Sequence, residues 1–306
     1  MLDNIQKQLL KEVADLYSMP KGAYNIRANG EKAARNTTEN IDIVTKTDNP
    51  GIDVYIKDGT QNESVHIPVV ISESGIKEVV YNDFYIGENC NVTIVAGCGI
   101  NNCGSQDSQH DGVHRFFVGK NSKIRYVEKH YGEGTGTGKR ILNPVTEVYQ
   151  KENSYVDMDM VQIKGVDDTY RTTKAELAAG ATMIVHERLM THGQQKATSV
   201  YSVELNGDGS STDVISRSVA KDDSEQIFEV AIVGNTICNG HAECDAIIMD
   251  NAHIVAIPRL DAKNVDAALI HEAAIGKIAG DQLIKLMSLG LTEAEAEEQI
   301  IGGFLR

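Results

Sequence analysis

The chain predicts a mainly β fold: a parallel β-helix, or solenoid, with an N-terminal helix and a small C-terminal helical region. Three observations carry this. A turn followed by a β run recurs as GENCNVTIVAG, GKNSKIRYVEKH and KENSYVDMDMVQIKG. The turn asparagines, Asn89, Asn121 and Asn153, keep a constant 32-residue step, and a constant step is the mark of a stacked repeat. From about residue 262 the apolar period changes from two to helical. A β-sandwich also yields short strands and turns, but it does not require a recurring step.

Taken in order, residues 1–18 read as a helix with Ile5, Leu9, Leu10, Val13 and Leu16 on one face, ended by Pro20 and Gly22. Residues 1–75 form the first unit, in which short β-like stretches such as IDIVTK and VHIPVVI follow that helix. The β-helix core is read over 76–261. Its turns offer Asn or Gly where positive φ is needed, followed by β-branched residues. Within VDMDMVQIK the alternation reads as changing phase. Val156, Met158 and Met160 face one way, and Val161 and Ile163 then become the apolar pair around Gln162, as at a corner between two sheets. The last unit, 262–306, reads as two helices: DAALIHEAAIGKIAGDQLIKLMSLG stopping at Gly290, and a second capped by Thr292 with Glu295 as its capping-box partner.

The formal net charge of −15 in 306 residues disfavours nucleic-acid and anionic-membrane partners, which need a basic face. No run approaches the roughly 18 apolar residues of a membrane span, and the mixed-charge N-terminus lacks the apolar core of a signal peptide. Five cysteines, an odd number, point to reduced thiols. A cytoplasmic protein is therefore expected.

Two motifs mislead. GEGTGTGKR at 132–140 resembles a phosphate loop, but Glu133 stands where the first glycine is needed and Arg140 where Ser or Thr is needed. A mobile loop is the expectation, and no nucleotide site of the chain's own. The paired acids Asp157/Asp159 and Asp222/Asp223 suggest sugar chemistry, but they sit on alternating or turn-like stretches and read as solvated carboxylates.

The C-terminal seventy residues are the specific part. GHAECDAIIMD and AIPRLDAKNVDAALIHEAAIGKIAGDQLIKLMSLGLTEAEAEEQIIGGFL closely resemble the C-terminal core of the SufB/SufD family. RTTKAEL, MTHGQQKATS and DVISRSVAKDDSEQ extend the likeness over most of residues 80–306. The resemblance implies a right-handed parallel β-helix followed by helices, and a scaffold rather than an enzyme. It also implies an assembly with SufC-type ABC ATPase subunits that builds a transient iron–sulfur cluster, 4Fe–4S or 2Fe–2S. A sulfur donor and apo iron–sulfur proteins would be the other partners. The shortness of the chain resembles the compact members of the family and suggests a homodimer.

Carried over residue by residue, the family points to Cys244 in ECD and to His271 and Glu272 in HEA as cluster ligands, with Cys238 in TICNGH an intermediate candidate. Thiolate suits iron in an assembling cluster, while imidazole or carboxylate permits release. A buried apolar cysteine and a helix-surface His-Glu pair are the bland alternative. A second constellation, CGINNCGSQDSQHDGVH, holds Cys98, Cys103, His110 and His114 as candidate metal ligands, at a spacing that is not a standard zinc-finger pattern. Buried cysteines and turn histidines are the alternative there. Three functions compete: a cluster scaffold, an ATPase adaptor without a cluster, and a β-helical carbohydrate-active enzyme. The third is disfavoured by five Phe and no Trp.

Overall fold

The computed structural model describes residues 2–306. Helix α1 (Asn4–Ala14) precedes two antiparallel pairs, β1 (Ala23–Ala28) with β2 (Glu31–Asn36) and β3 (Ile41–Thr45) with β4 (Gly51–Ile56). The coils continue through β5 (Gln61–Ile71), β6 (Lys77–Ile86), β7 (Asn91–Asn101), β8 (Ser108–Val118), β9 (Lys123–Glu133), β10 (Arg140–Leu142), β11 (Val145–Gln150) and β12 (Tyr155–Lys164). They end with β13 (Asp168–Leu177), β14 (Thr182–Thr191), β15 (Lys196–Leu205), β16 (Ser211–Ala220), β17 (Glu225–Gly234), β18 (Asn239–Ile248), β19 (His253–Ala262) and β20 (Ala268–Gly276). Helices α2 (Gly280–Ser288) and α3 (Glu293–Phe304) close the chain.

Successive strands alternate between two ten-stranded sheets. The first runs β2-β1-β5-β7-β9-β12-β14-β16-β18-β20, and the second runs β19-β17-β15-β13-β10-β8-β6-β4-β3 with β11 between β13 and β8. Every pairing beyond the two terminal hairpins is parallel, so the molecule is the β-solenoid the repeat predicts. Coil strands extend from Gly51 to Gly276, beyond both ends of the 76–261 range. Asn89, Asn121 and Asn153 hold φ of 55–56° in stacked turns, and Asn121 Nδ2 donates to Asn89 Oδ1 at 3.2 Å. Asn tolerates that left-handed conformation better than most residues. After Asn153 the coil shortens to 27–29 residues.

Four local readings change. Helix α1 buries Gln6, Leu9, Leu10 and Val13 but exposes Ile5, and it stops at a left-handed Asp15 rather than at Pro20. Gln6 takes the inner place because its amide donates to Ser72 Oγ and its backbone N–H is capped by Asp3. The phase of β12 does not change: Val156, Met158, Met160 and Gln162 all point inward, while Val161 and Ile163 point out. Gln162 is tolerated because Thr169 Oγ1 donates to its Oε1 at 3.1 Å. The 132–139 segment packs on the coil before it, with Gly136 N–H donating to Asn102 O and Gly138 N–H to Gly104 O. A Cβ at Gly136 or Gly138 would fall 2.1–2.2 Å from a backbone carbonyl of that coil, so the glycines serve close stacking.

The fourth change matters most for the site. The predicted first C-terminal helix is split: residues 268–276 are strand β20, paired with β18, and only α2 is helical. Ala, Leu and Glu favour helices in isolation, but the waiting edge of β18 supplies a ladder that outweighs a few tenths of a kcal/mol per residue. The Thr292–Glu295 capping box is present, with Thr292 Oγ1 accepting from Glu295 N–H.

Candidate functional site

Strand alternation places charged residues inside the solenoid. The inward column of the first sheet reads Ala96, Glu128, Met160, Glu187, Ser216, Cys244 and Ala273 from coil to coil. The facing column of the second sheet carries Arg171 beside Ser199. Arg171 is ion-paired to Glu128 through Nη1, and its Nε lies 3.7 Å from Glu187 Oε1. Glu187 also accepts from Ser199 Oγ at 2.6 Å, Tyr201 OH at 2.9 Å and Ser216 Oγ at 2.9 Å. Tyr126 OH donates to Glu128 Oε1 at 3.0 Å and meets His114 Nδ1 at 2.9 Å.

From Ala96 to Cys244 this column is buried, as is Arg171 opposite it, so its charges survive only by mutual satisfaction. Burial opposes ionisation of Glu128, but Arg171, then His130, outweigh it and hold the carboxyl well below the carboxylate range. Burial likewise opposes the Arg171 charge, and Glu128, Tyr201 and Glu187 more than restore it. The sequence reading missed these residues. The available signal was that Glu128 and Glu187 stand in phase with the buried apolar positions around them.

Cys244 lies at the end of the column, in register with Ser216 and one strand from the last, β20. Burial first, then Glu187 and Asp245, push its thiol up to about 11. It is neutral at ordinary pH, and a metal ion that binds it must displace the proton. His271 shares the inner face of β20, in register with Ala242, and its Nε2 is buried without a hydrogen-bond partner. Glu272 points to the opposite, outer face. It therefore does not join Cys244 within one chain. It meets His241 and Glu243 instead, with the ligand atoms of all three within 4.8 Å of one another. Asp213 Oδ1 lies 2.8 Å from His241 Nδ1 and orients the ring. Burial and Asp245 raise the Glu243 carboxyl.

Cys238 is buried six residues before Cys244, about 20 Å along an extended strand, and packs on Gly234 and Leu269 as core. Of the other constellation, Cys98, His110 and His114 are brought together around one small cavity, joined by Glu128 and His130. Cys103 is not: it is exposed on the following turn, its thiol 3.1 Å from Asn101 Oδ1.

The outer face of the second sheet stacks Tyr55, Tyr85, Phe117 and Tyr149 with centroids 4.9–5.3 Å apart and planes within 11°. Ring faces are spent on each other, so the ladder offers edges, whereas a sugar platform needs a face. The paired acids are also engaged: Asp159 is ion-paired to Arg188, and Asp222 accepts from Gly193 N–H.

The family model for the SufBD core domain of the SUF system for FeS cluster assembly matches residues 77–304. The chain belongs to the SufBD family. It is 27% identical over 238 residues to an iron-sulfur cluster assembly SufBD family protein of Methanothermobacter thermautotrophicus, covering 77% of this chain and 57% of that one. A Pyrococcus horikoshii SufBD family protein is 30% identical over 243 residues, 77% of this chain and 71% of that one. The iron-sulfur cluster assembly protein SufB of Bacillus subtilis is 32% identical over 136 residues, 43% of this chain and 29% of that one. The chain spans 57% of the length of the two Methanothermobacter relatives it matches.

Proposed function

We propose that this SufBD protein is a scaffold on which an iron–sulfur cluster is built at the open end of the solenoid and passed to apoproteins. The observation that carries it is the makeup of the last coil. A thiol, Cys244, and an imidazole whose Nε2 lacks a partner, His271, lie on its inner face, and His241, Glu243 and Glu272 bring their ligand atoms within reach of one metal ion on its outer face. The mixture suits a cluster that must be released, since carboxylate and imidazole hold iron more loosely than an all-thiolate cage.

Among the described residues, no further strand covers the same end. Strands β19 and β20 terminate their sheets and expose Ile257, Leu260, Ile270 and Ile275. An unpaired apolar edge is a liability that a second copy would remove, and a homodimer would set two last coils against each other. Helix α2 and its C-cap expose Ile284, Met287 and Leu289, an apolar surface suited to an ABC-type ATPase. Held on one edge only, β20 is the element an ATP-driven movement would lift to reach Cys244 beneath it.

The test loads the protein anaerobically with iron and sulfide and follows transfer to an apo-ferredoxin, with and without the ATPase and ATP. Glu272→Ala is expected to load but to transfer at an altered rate, and a chain ending at Lys277 to lose the ATPase effect. A loaded protein that transfers nothing, or a truncated chain that still responds to the ATPase, would contradict the reading.

A further inference from the structure

The interior holds a second group of ligand atoms, its thiol Cys98 lying five coils from Cys244. Cys98 and His130 are register neighbours on β7 and β9 of the first sheet. His110, Gly112 and His114 alternate inward along β8 of the second. Between them lies a cavity of about 10 Å³, roughly the space of one water molecule. It exists because Gly112 contributes no side chain where the same column later carries Arg171. A Cβ at Gly112 would lie 2.8 Å from His114 Nε2 and 3.5 Å from His110 Nε2, so both nitrogens converge on that gap.

Their far sides are occupied. His110 Nδ1 lies 3.0 Å from Glu78 Oε1, and Glu78 is also ion-paired to Arg27. His114 Nδ1 faces Tyr126 OH, whose proton goes to Glu128. Both Nδ1 atoms are therefore donors, which leaves the Nε2 lone pairs aimed into the cavity, the arrangement that metal-ligating histidines adopt. Glu128 and His130 are committed elsewhere, to Arg171, Tyr126 and Gln162, and act as walls. Cys98 supplies the sulfur.

We infer that this cavity binds one divalent first-row transition metal ion through Cys98 Sγ, His110 Nε2 and His114 Nε2, with water in a fourth position. Bonding at about 2.0–2.3 Å requires the three side chains to close by rotation, and Gly112 leaves the room for it. As the metal–sulfur bond forms, the Cys98 proton is released to solvent. The approach is the break in the second sheet at residues 143–144, between β10 and β11, where Pro144 lines the cavity and has no N–H for the ladder. The inference stands apart from the cluster scaffold reading, because it uses none of the last-coil ligands.

The probe is cobalt(II), added anaerobically to the full chain, with absorption and metal content measured after desalting. A thiolate-to-cobalt charge-transfer band is expected that persists in Cys244→Ala and is lost in Cys98→Ala. Gly112→Ala removes no ligand but fills the gap, and it should weaken cobalt binding at least tenfold. The double variant His110→Gln/His114→Gln, checked for native circular dichroism, should do the same. The inference is overturned if folded wild-type protein shows no such band. It is equally overturned if the band survives Cys98→Ala, or if Gly112→Ala and the double variant bind cobalt unchanged.

Discussion

Arg171 is the residue on which the interior depends. It sits fully inside the solenoid between Glu128 and Glu187, and removing its charge strands two carboxylates. Arg171→Met is expected to destabilise by about 3–5 kcal/mol in urea unfolding, and adding Glu128→Gln should recover part of that loss. A variant within 1 kcal/mol of wild type would mean the pairing is not formed. His114 gives the pH dependence. Burial depresses its pKa to about 4, from the 6.5 of a free imidazole. The unfolded chain thus binds the proton more tightly, and stability falls as pH drops from 6.5 toward 4. The full loss is about 3 kcal/mol, measurable on metal-free protein, and His114→Gln should flatten that limb. These residues are hard to read from sequence because charged side chains ordinarily lie outside. Gln162 shows this in small: an inward polar residue imitates a change of phase, although the alternation continues over a polar interior.

At the scale of elements, the turns were legible and the last strand was not. Asn89, Asn121 and Asn153 announce themselves because a left-handed turn needs a residue that tolerates positive φ. β20 is different: its Ala-rich sequence satisfies periods of both two and 3.6, and only the presence of β18 decides. That choice places His271 and Glu272 on opposite faces, where a helix would have set them side by side. Hydrogen exchange read by NMR separates the two cases. Paired on one edge alone, β20 should show slow exchange at alternate amides of 268–276, whereas a helix would protect them consecutively.

For the whole molecule, the 32-residue step and the C-terminal motifs were enough to foresee the solenoid and its family, because both are written along the chain. What the sequence could not show was the lumen. The columns Glu128–Glu187–Cys244 and Cys98–His130 join residues from different coils, and only the register of stacked strands brings them together. Among the described residues no helix is long and apolar enough to cross a membrane. The solenoid ends instead in an uncovered coil with Cys244 one strand beneath the surface. A cluster is proposed to form at that coil. Mössbauer spectroscopy after anaerobic loading with iron-57 and sulfide tests it most directly, on wild-type protein and on Cys244→Ala of matched folding and oligomeric state. The account predicts a cluster signal in the wild type that is lost in Cys244→Ala. An identical cluster spectrum in both proteins would contradict it.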